Sequence, residues 1–370
     1  MTYDAVVVGL GAVGSAALYQ LARRGARVLG IDRHCPPHAF GSSTGETRIT
    51  RQAIGEGDEY VPLVLRSYEL FREIERESGE SLLEVTGGLW ISSQDRLAEA
   101  HAPDFFSNTL AAARRFHIEH EILAPPGIRG RFPQFNVRDN EVGYYEPGAG
   151  YLRPEACVRV QLALARKHGA EIRLEETVSS LDALPPSRNV ILSAGAWLPQ
   201  FLPAELARLF TVTRQVQYWF EVPGAVERFM APDFPVWIWQ LQDSRNVIYG
   251  FPAIDGAVKL ATEQYSVPTQ PDAIRPEVTD EDKRSMYETL VAPYLPGLGP
   301  RCVKAVSCLY TATPGFRFVI DRLPARHDVI VASPCSGHGF KHSAAVGESL
   351  AQMVMEGEPR IDLGAFRFPA

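Results

Sequence analysis

Arg48 and Arg51 stand three residues apart at the end of a small, polar run, Gly41-Ser42-Ser43-Thr44-Gly45-Glu46-Thr47. A planar guanidinium suits a carboxylate or an electron-rich ring, and on a helix this spacing puts both on one face. The simpler alternative is a solvated arginine pair on a loop. Lys259 is the only lysine between Lys167 and Lys283. It lies in an alternating stretch, Ala257 to Glu263, where Val258 and Leu260 face one way and Lys259 and Glu263 the other. A lone lysine is most often solvated. Cys308 shares a strand face with Val306 and Tyr310, yet cysteine is among the most buried residue types and is commonly inert. Ser336-Gly337-His338-Gly339-Phe340-Lys341 forms a glycine-rich turn between a short apolar strand, Asp328 to Ala332, and a helix marked by Val346, Leu350 and Met353. That order makes an anion site, with Lys341 in reach of a carboxylate, whereas His338 reads equally well as loop packing.

The elements that position these groups begin at the N-terminus. Ala5 to Val8 is an apolar strand ending in Gly9. Val13, Ala16, Ala17 and Leu21 then recur at helical spacing until Gly25, and Ala26 to Ile31 is a second strand closed by Asp32. Gly9-Leu10-Gly11-Ala12-Val13-Gly14 therefore sits in the strand–turn–helix–strand context of a dinucleotide fingerprint. Gly9 allows the turn, Gly11 lets a pyrophosphate approach, Gly14 lets helix and strand pack, and Asp32 can accept from ribose hydroxyls. The motif does not by itself separate FAD from NAD. Val212 to Val222 alternates as a half-buried strand, and Val236 to Leu241, Asn246 to Phe251, Ala257 to Glu263 and Val303 to Thr311 continue a sheet.

Bulk properties bound the answer. A chain of 370 residues predicts two α/β domains. A formal charge of -7 argues against nucleic acid. Five scattered cysteines without CxxC spacing predict neither disulfides nor zinc and fit a cytoplasmic setting. His117-Ile118-Glu119-His120-Glu121 lacks a third ligand cluster and reads as a polar surface segment, so no metal is expected. The uncharged run Ala5 to Ala22 is broken by glycines and preceded by Asp4, which argues against a leader, and no membrane span is expected.

Taken in order, the glycine motif, Gly45-Glu46-Thr47-Arg48 running to Arg51, Gly55-Glu56-Gly57 to Tyr60-Val61-Pro62, Ser193-Ala194-Gly195-Ala196-Trp197, Tyr249-Gly250-Phe251-Pro252, Cys308-Leu309-Tyr310-Thr311 and Ser336 to Lys341 span nearly the whole chain. This pattern resembles the monomeric sarcosine oxidase family, including N-methyltryptophan oxidase and enzymes acting on cyclic imino acids. The resemblance implies a discontinuous FAD-binding domain of the glutathione reductase type (residues 1–82, 148–211 and 311–370). It is interleaved with an α+β substrate domain on a mixed sheet (83–147 and 212–310). It also implies a monomer that oxidises the C–N bond of an N-methyl or cyclic amino acid to an imine, with O2 reduced to H2O2. A flavin dehydrogenase with another acceptor and an NAD-dependent dehydrogenase are the alternatives.

Residue by residue, Cys308 matches the cysteine whose thiolate joins the flavin 8α-methyl carbon. Arg48 and Lys259 match cations beside the flavin, Lys259 serving its reoxidation. Arg51 and Lys341 match the pair that clamps the substrate carboxylate, with Tyr249 and Tyr310 in the same pocket. Gly9, Gly11, Ala12, Val13, Gly14, Asp32, Arg33, Ser42, Ser43, Thr44, Arg48, Val178, Ala194, Gly195, Trp197, Gly337, His338, Gly339, Phe340 and Lys341 match the cofactor's surroundings. Thr44, Ile54, Ile238 and Glu263 depart from the sarcosine-specific pattern. These departures place the uncertainty on the substrate side, where Trp237 or Trp239 could stack on a bulkier substrate or serve only as sheet packing. Glu263 could pair with Lys259 and turn the chemistry from oxidase toward dehydrogenase.

Overall fold

A computed structural model describes residues 2–93, 104–273 and 277–369. The apolar Tyr3–Val8 strand lies inside a six-stranded sheet, flanked in parallel by Val28–Ile31 and Ser187–Leu192. Ala5, Val6 and Val7 have no exposed surface, as expected of a strand covered on both faces. The helices Ala12–Ala22, Pro154–Lys167 and Ser343–Met355 pack together over the sheet. The chain leaves Tyr3–Val8 for one neighbour and returns much later as the other. The carboxyl ends of these strands therefore form the switch-point crevice where α/β sheets bind ligands.

A second, eight-stranded sheet runs in the order Cys302–Ala312, Thr211–Glu221, Ala257–Thr262, Val247–Gly250, Val236–Gln240, Gly88–Ser92, Val142–Glu146, Glu121–Leu123. One face carries Val216, Tyr218, Phe220, Trp237, Trp239, Ile248, Val258 and Leu260 into a core closed by Phe135, Phe234 and Leu290. By register the opposite face carries Gln215 beside Cys308, Thr213 beside Tyr310, Trp219 beside Lys259, and Tyr249 beside both Ala261 and Ile238. All the chemistry-bearing residues of the sheet thus share one side.

One expectation changes and one alternative is decided. Thr211–Glu221 is not half-buried: Gln215 and Gln217 are as enclosed as Val216, because their face covers the site instead of meeting water. Trp237 and Trp239 both point into the core and have no exposed surface, and Trp239 Nε1 donates to Glu141 Oε1 at 2.7 Å. Neither can stack on a ligand.

Arg48 is also not helical. Arg48–Thr50 is a strand pairing antiparallel with Gly150–Leu152, which in turn pairs with Leu83–Val85. The β-branched Ile49 and Thr50 favour that choice.

Candidate active site

The switch-point crevice opens onto a long cleft lined by Gly9, Gly11, Ala12, Val13, Asp32, Arg33, Ser42, Ser43, Val178, Ala194, Gly195 and Trp197. Gly9 has φ +85°, and a Cβ there would lie 2.6 Å from Ser193 O. A Cβ on Gly14 would lie 1.8 Å from Gly9 O, so Gly14 serves packing and does not line the cleft. The Ala12–Ala22 helix starts without a side-chain cap from Gly11, which leaves its first N–H groups for an anion, apart from Ala12 N, which reaches Ser43 Oγ at 3.3 Å. Asp32 accepts from Leu10 N at 2.7 Å and His34 N at 2.8 Å, and it lines the cleft. At the mouth, Asp272 accepts from Trp197 Nε1 at 2.8 Å and pairs with Arg33 at 3.1 Å, holding the guanidinium over the indole. A glycine cradle, a helix N-terminus and an acid at the second strand's end fit the diphosphate and ribose of FAD.

A second cavity adjoins the first. Its wall includes Arg51, Glu56, Phe105, Gln217, Ile238, Val247, Tyr249, Phe251, Lys259, Glu263, His338 and Lys341. Arg48, Tyr310, Gly337 and Phe340 line both spaces, so the two meet there. Gly339 lines the first cleft only, whereas His338 and Lys341 belong to the second. Thr44 lines neither; its carbonyl accepts from Arg48. Ile54 also lies outside both, sealed in the main core with no exposed surface. Cys308 is wholly buried behind the wall, where its Sγ accepts from Gln217 Nε2 at 3.4 Å.

Each cation is held from a different side. Arg48 donates to the Ser42 and Thr47 carbonyls at 2.8 Å. Lys259 Nζ donates to Gly45 O at 2.5 Å, Thr47 O at 2.8 Å and Thr47 Oγ1 at 3.2 Å, over the rings of Phe251 and Trp219. Burial, then the neighbouring Arg48 charge, push its pKa well below that of an ordinary lysine. The pairing of Lys259 with Glu263 that their shared face allowed is not made. Four residues of extended chain separate them by roughly 13 Å, and Lys259 Nζ is directed at Gly45 and Thr47. Lys341 Nζ donates to His338 O at 2.7 Å, and burial lowers its pKa to about 7. Tyr249 and Tyr310 approach hydroxyl to hydroxyl at 3.3 Å; burial pushes Tyr249 up to about 12 and Tyr310 well above 10.

Arg51 shows what sequence reasoning missed. One guanidinium nitrogen donates to both oxygens of Glu56, at 2.7 and 2.5 Å, and the other to Ala53 O at 2.6 Å. The turn is fixed from below by Glu146, which accepts from Gln52 N at 2.6 Å, Ala53 N at 3.1 Å and Tyr144 Oη at 3.0 Å. Glu56 sat in a quoted motif, but its role needed the turn geometry. Gln217 had a visible signal, a polar face on an otherwise apolar strand.

His338 packs within its loop and also faces the second cavity. Its ring stacks on Phe318, its Nε2 lies 3.0 Å from Phe316 O, and its Nδ1 is 3.7 Å from Glu56. Among the described residues no group of His, Cys, Asp and Glu could hold a metal, and no helix is long and apolar enough to cross a membrane.

Comparison with known proteins gives the same picture. Residues 4–353 match the family model described as FAD dependent oxidoreductase. The chain is 39% identical to monomeric sarcosine oxidase of Streptomyces avermitilis over 99% of this chain and 97% of that one. It is 33% identical to N-methyl-L-tryptophan oxidase of Yersinia pestis over 99% and 98%. In fold it is similar to a mutant of NikD, an amino acid oxidase of nikkomycin biosynthesis, with TM-score 0.84 at 23% identity over 99% and 97% of the two chains. L-proline dehydrogenase from P. horikoshii has TM-score 0.79 at 19% identity over 99% and 96%. With the dinucleotide cleft and the adjoining cationic cavity in place, this protein belongs to the FAD dependent oxidoreductases, in the family of monomeric sarcosine and N-methyltryptophan oxidases.

Proposed function

We propose that this enzyme oxidises the C–N bond of a secondary amino acid, N-methylated or cyclic, to an imine, and delivers the electrons to oxygen as hydrogen peroxide. The observation that carries this reading is the meeting of the two cavities at Arg48, Tyr310, Gly337 and Phe340, which brings a ligand of the cationic cavity to one end of the dinucleotide cleft. Bound FAD supplies a two-electron acceptor for hydride from the carbon beside the amine.

The remaining work falls to the chain. Arg51 and Lys341 bind the substrate carboxylate, which orients the reacting carbon and limits its freedom. Lys341, poised at about 7, takes a proton as the carboxylate enters. Tyr249 and Tyr310, neutral throughout the physiological range, direct hydroxyl groups at the amine. Ile238, Phe105 and Phe251 exclude water. Cys308 holds the flavin covalently, and Arg48 and Lys259 set positive charge beside it.

An anaerobic screen of sarcosine, N-methyltryptophan, pipecolate and proline tests the proposal. Bleaching of the flavin by at least one of them is expected; a flavin that none of them reduces would refute it. A second reading, with an acceptor other than oxygen, is favoured by the hydrogen bonds that hold Lys259 Nζ to Gly45 and Thr47. Substrate turnover without stoichiometric peroxide would select it.

A further inference from the structure

Two buried carboxylates serve Arg51 in different ways. Glu56 meets the guanidinium directly. Glu146 instead holds the backbone that carries it. This residue ends the Val142–Glu146 strand of the eight-stranded sheet, opposite Gly88, and has no exposed surface. Its Oε1 accepts from Gln52 N at 2.6 Å, and its Oε2 accepts from Ala53 N at 3.1 Å and Tyr144 Oη at 3.0 Å. Ala53 O in turn accepts from Arg51 at 2.6 Å. One side chain thus ties a strand of the second sheet to the two peptide groups that follow Arg51. Among the described residues three donors and no acceptor meet it, which suits a carboxylate. An amide of the same length would set its own N–H groups against at least one of those donors. Burial raises the pKa of Glu146, while the three hydrogen bonds and then the charge of Arg51 act against that rise.

We infer that Glu146 is the positioning residue of the carboxylate clamp: it holds the turn after Arg51 so that the guanidinium stays aimed into the cavity when a ligand's carboxylate replaces Glu56 as its partner. This rests on the reading of Arg51 as part of the substrate carboxylate site. The two acids then act on the same ligand with opposite sign. Both are negative and close to Arg51, so charge alone would make removal of either one favour an incoming anion. Removal of Glu56 frees the guanidinium from a competitor. Removal of Glu146 releases the turn that aims it.

Calorimetry on the flavin-loaded protein tests this with 3,3-dimethylbutanoate and its neutral counterpart, 3,3-dimethylbutanamide. Glu146→Gln keeps the shape of the side chain and removes its charge, whereas Glu146→Asp keeps the charge and withdraws it by a methylene. Both substitutions are expected to weaken the carboxylate about tenfold or more, since a small misplacement of a clamp is costly. The amide, which gives the clamp no charge to hold, binds no more weakly than to the unaltered protein. A carboxylate that binds Glu146→Gln more tightly or with unchanged Kd, or a loss shared equally by both ligands, overturns the inference and leaves the carboxylate site standing. Should neither variant accumulate as folded protein, Tyr144→Phe decides, because it removes one donor and keeps the acid. A weakening of about threefold is then expected, and an unchanged Kd overturns the inference. A carboxylate that fails to bind the unaltered protein, or binds Arg51→Ala equally well, overturns both the inference and the reading of Arg51.

Discussion

Arg51 and Glu56 form an ion pair inside the protein, one guanidinium nitrogen reaching both carboxylate oxygens and each side chain less than a twentieth exposed, at the place where the substrate carboxylate is proposed to bind. Glu56 therefore stands as an internal competitor for the guanidinium. Glu56→Gln is expected to strengthen binding of a simple carboxylate inhibitor about tenfold, because the ligand no longer displaces a charge. It is also expected to lower folding stability by about 3–5 kcal/mol, because Arg51 is left buried without its counter-ion. Inhibitor titration and thermal melts read the two effects separately.

Arg51→Ala removes the other partner. Carboxylate affinity should fall by about 2–5 kcal/mol, the usual cost of truncating one side of a buried charge pair. An unchanged inhibitor Kd would move the carboxylate site elsewhere.

Lys341 gives the site a pH dependence whose sign follows from its lowered pKa. With the folded value near 7 and the ordinary lysine value at 10.5, the ammonium is present below pH 7 and lost above it in the ligand-free protein. Glu56 and Glu263 act to keep it charged, while burial and Arg51 oppose them. Affinity for a carboxylate inhibitor that has no amine should be flat below pH 7. Above it, affinity should weaken by up to about tenfold per unit, as one proton must be taken up on binding. Lys341→Met should flatten the profile at the weak limit.

Lys259→Met is expected to slow reaction of the reduced enzyme with oxygen far more than substrate-driven reduction. Stopped-flow measurement of the two half-reactions checks this, and equal slowing would remove Lys259 from the oxygen step.

Much of this was legible from residue order. The strand–turn–helix at Gly9 to Gly14 and the alternating run at Ala257 to Glu263 carry their own periodicity, which is why their boundaries lie within a residue or two of the observed elements. Arg48, Tyr249, Tyr310 and Lys341 were nameable because they sit in ordered motifs, and Lys259 because it is a lone lysine on an alternating strand; the fold brings them around one space. What escaped depends on facing. Trp237 and Ile238 are neighbours on one strand, and only the packing of the sheet decides that the tryptophan enters the core and the isoleucine the cavity. Ile54 fell to the core for a similar reason: the turn that aims Arg51 inward, pinned by Glu146, carries the next residues away from the cavity. A link between Arg51 and Glu56 has no period to betray it.

The central claim is that the flavin ring lies where the two cavities meet, tied to Cys308, with a carboxylate on Arg51 and Lys341 beside it. A crystal structure of the oxidised enzyme with a bound carboxylate inhibitor tests it most directly. Density running unbroken from Cys308 Sγ into the ring, with the inhibitor's oxygens within hydrogen-bond distance of Arg51 and Lys341, is the predicted result. A ring remote from Cys308, or an inhibitor seated away from both cations, would contradict it.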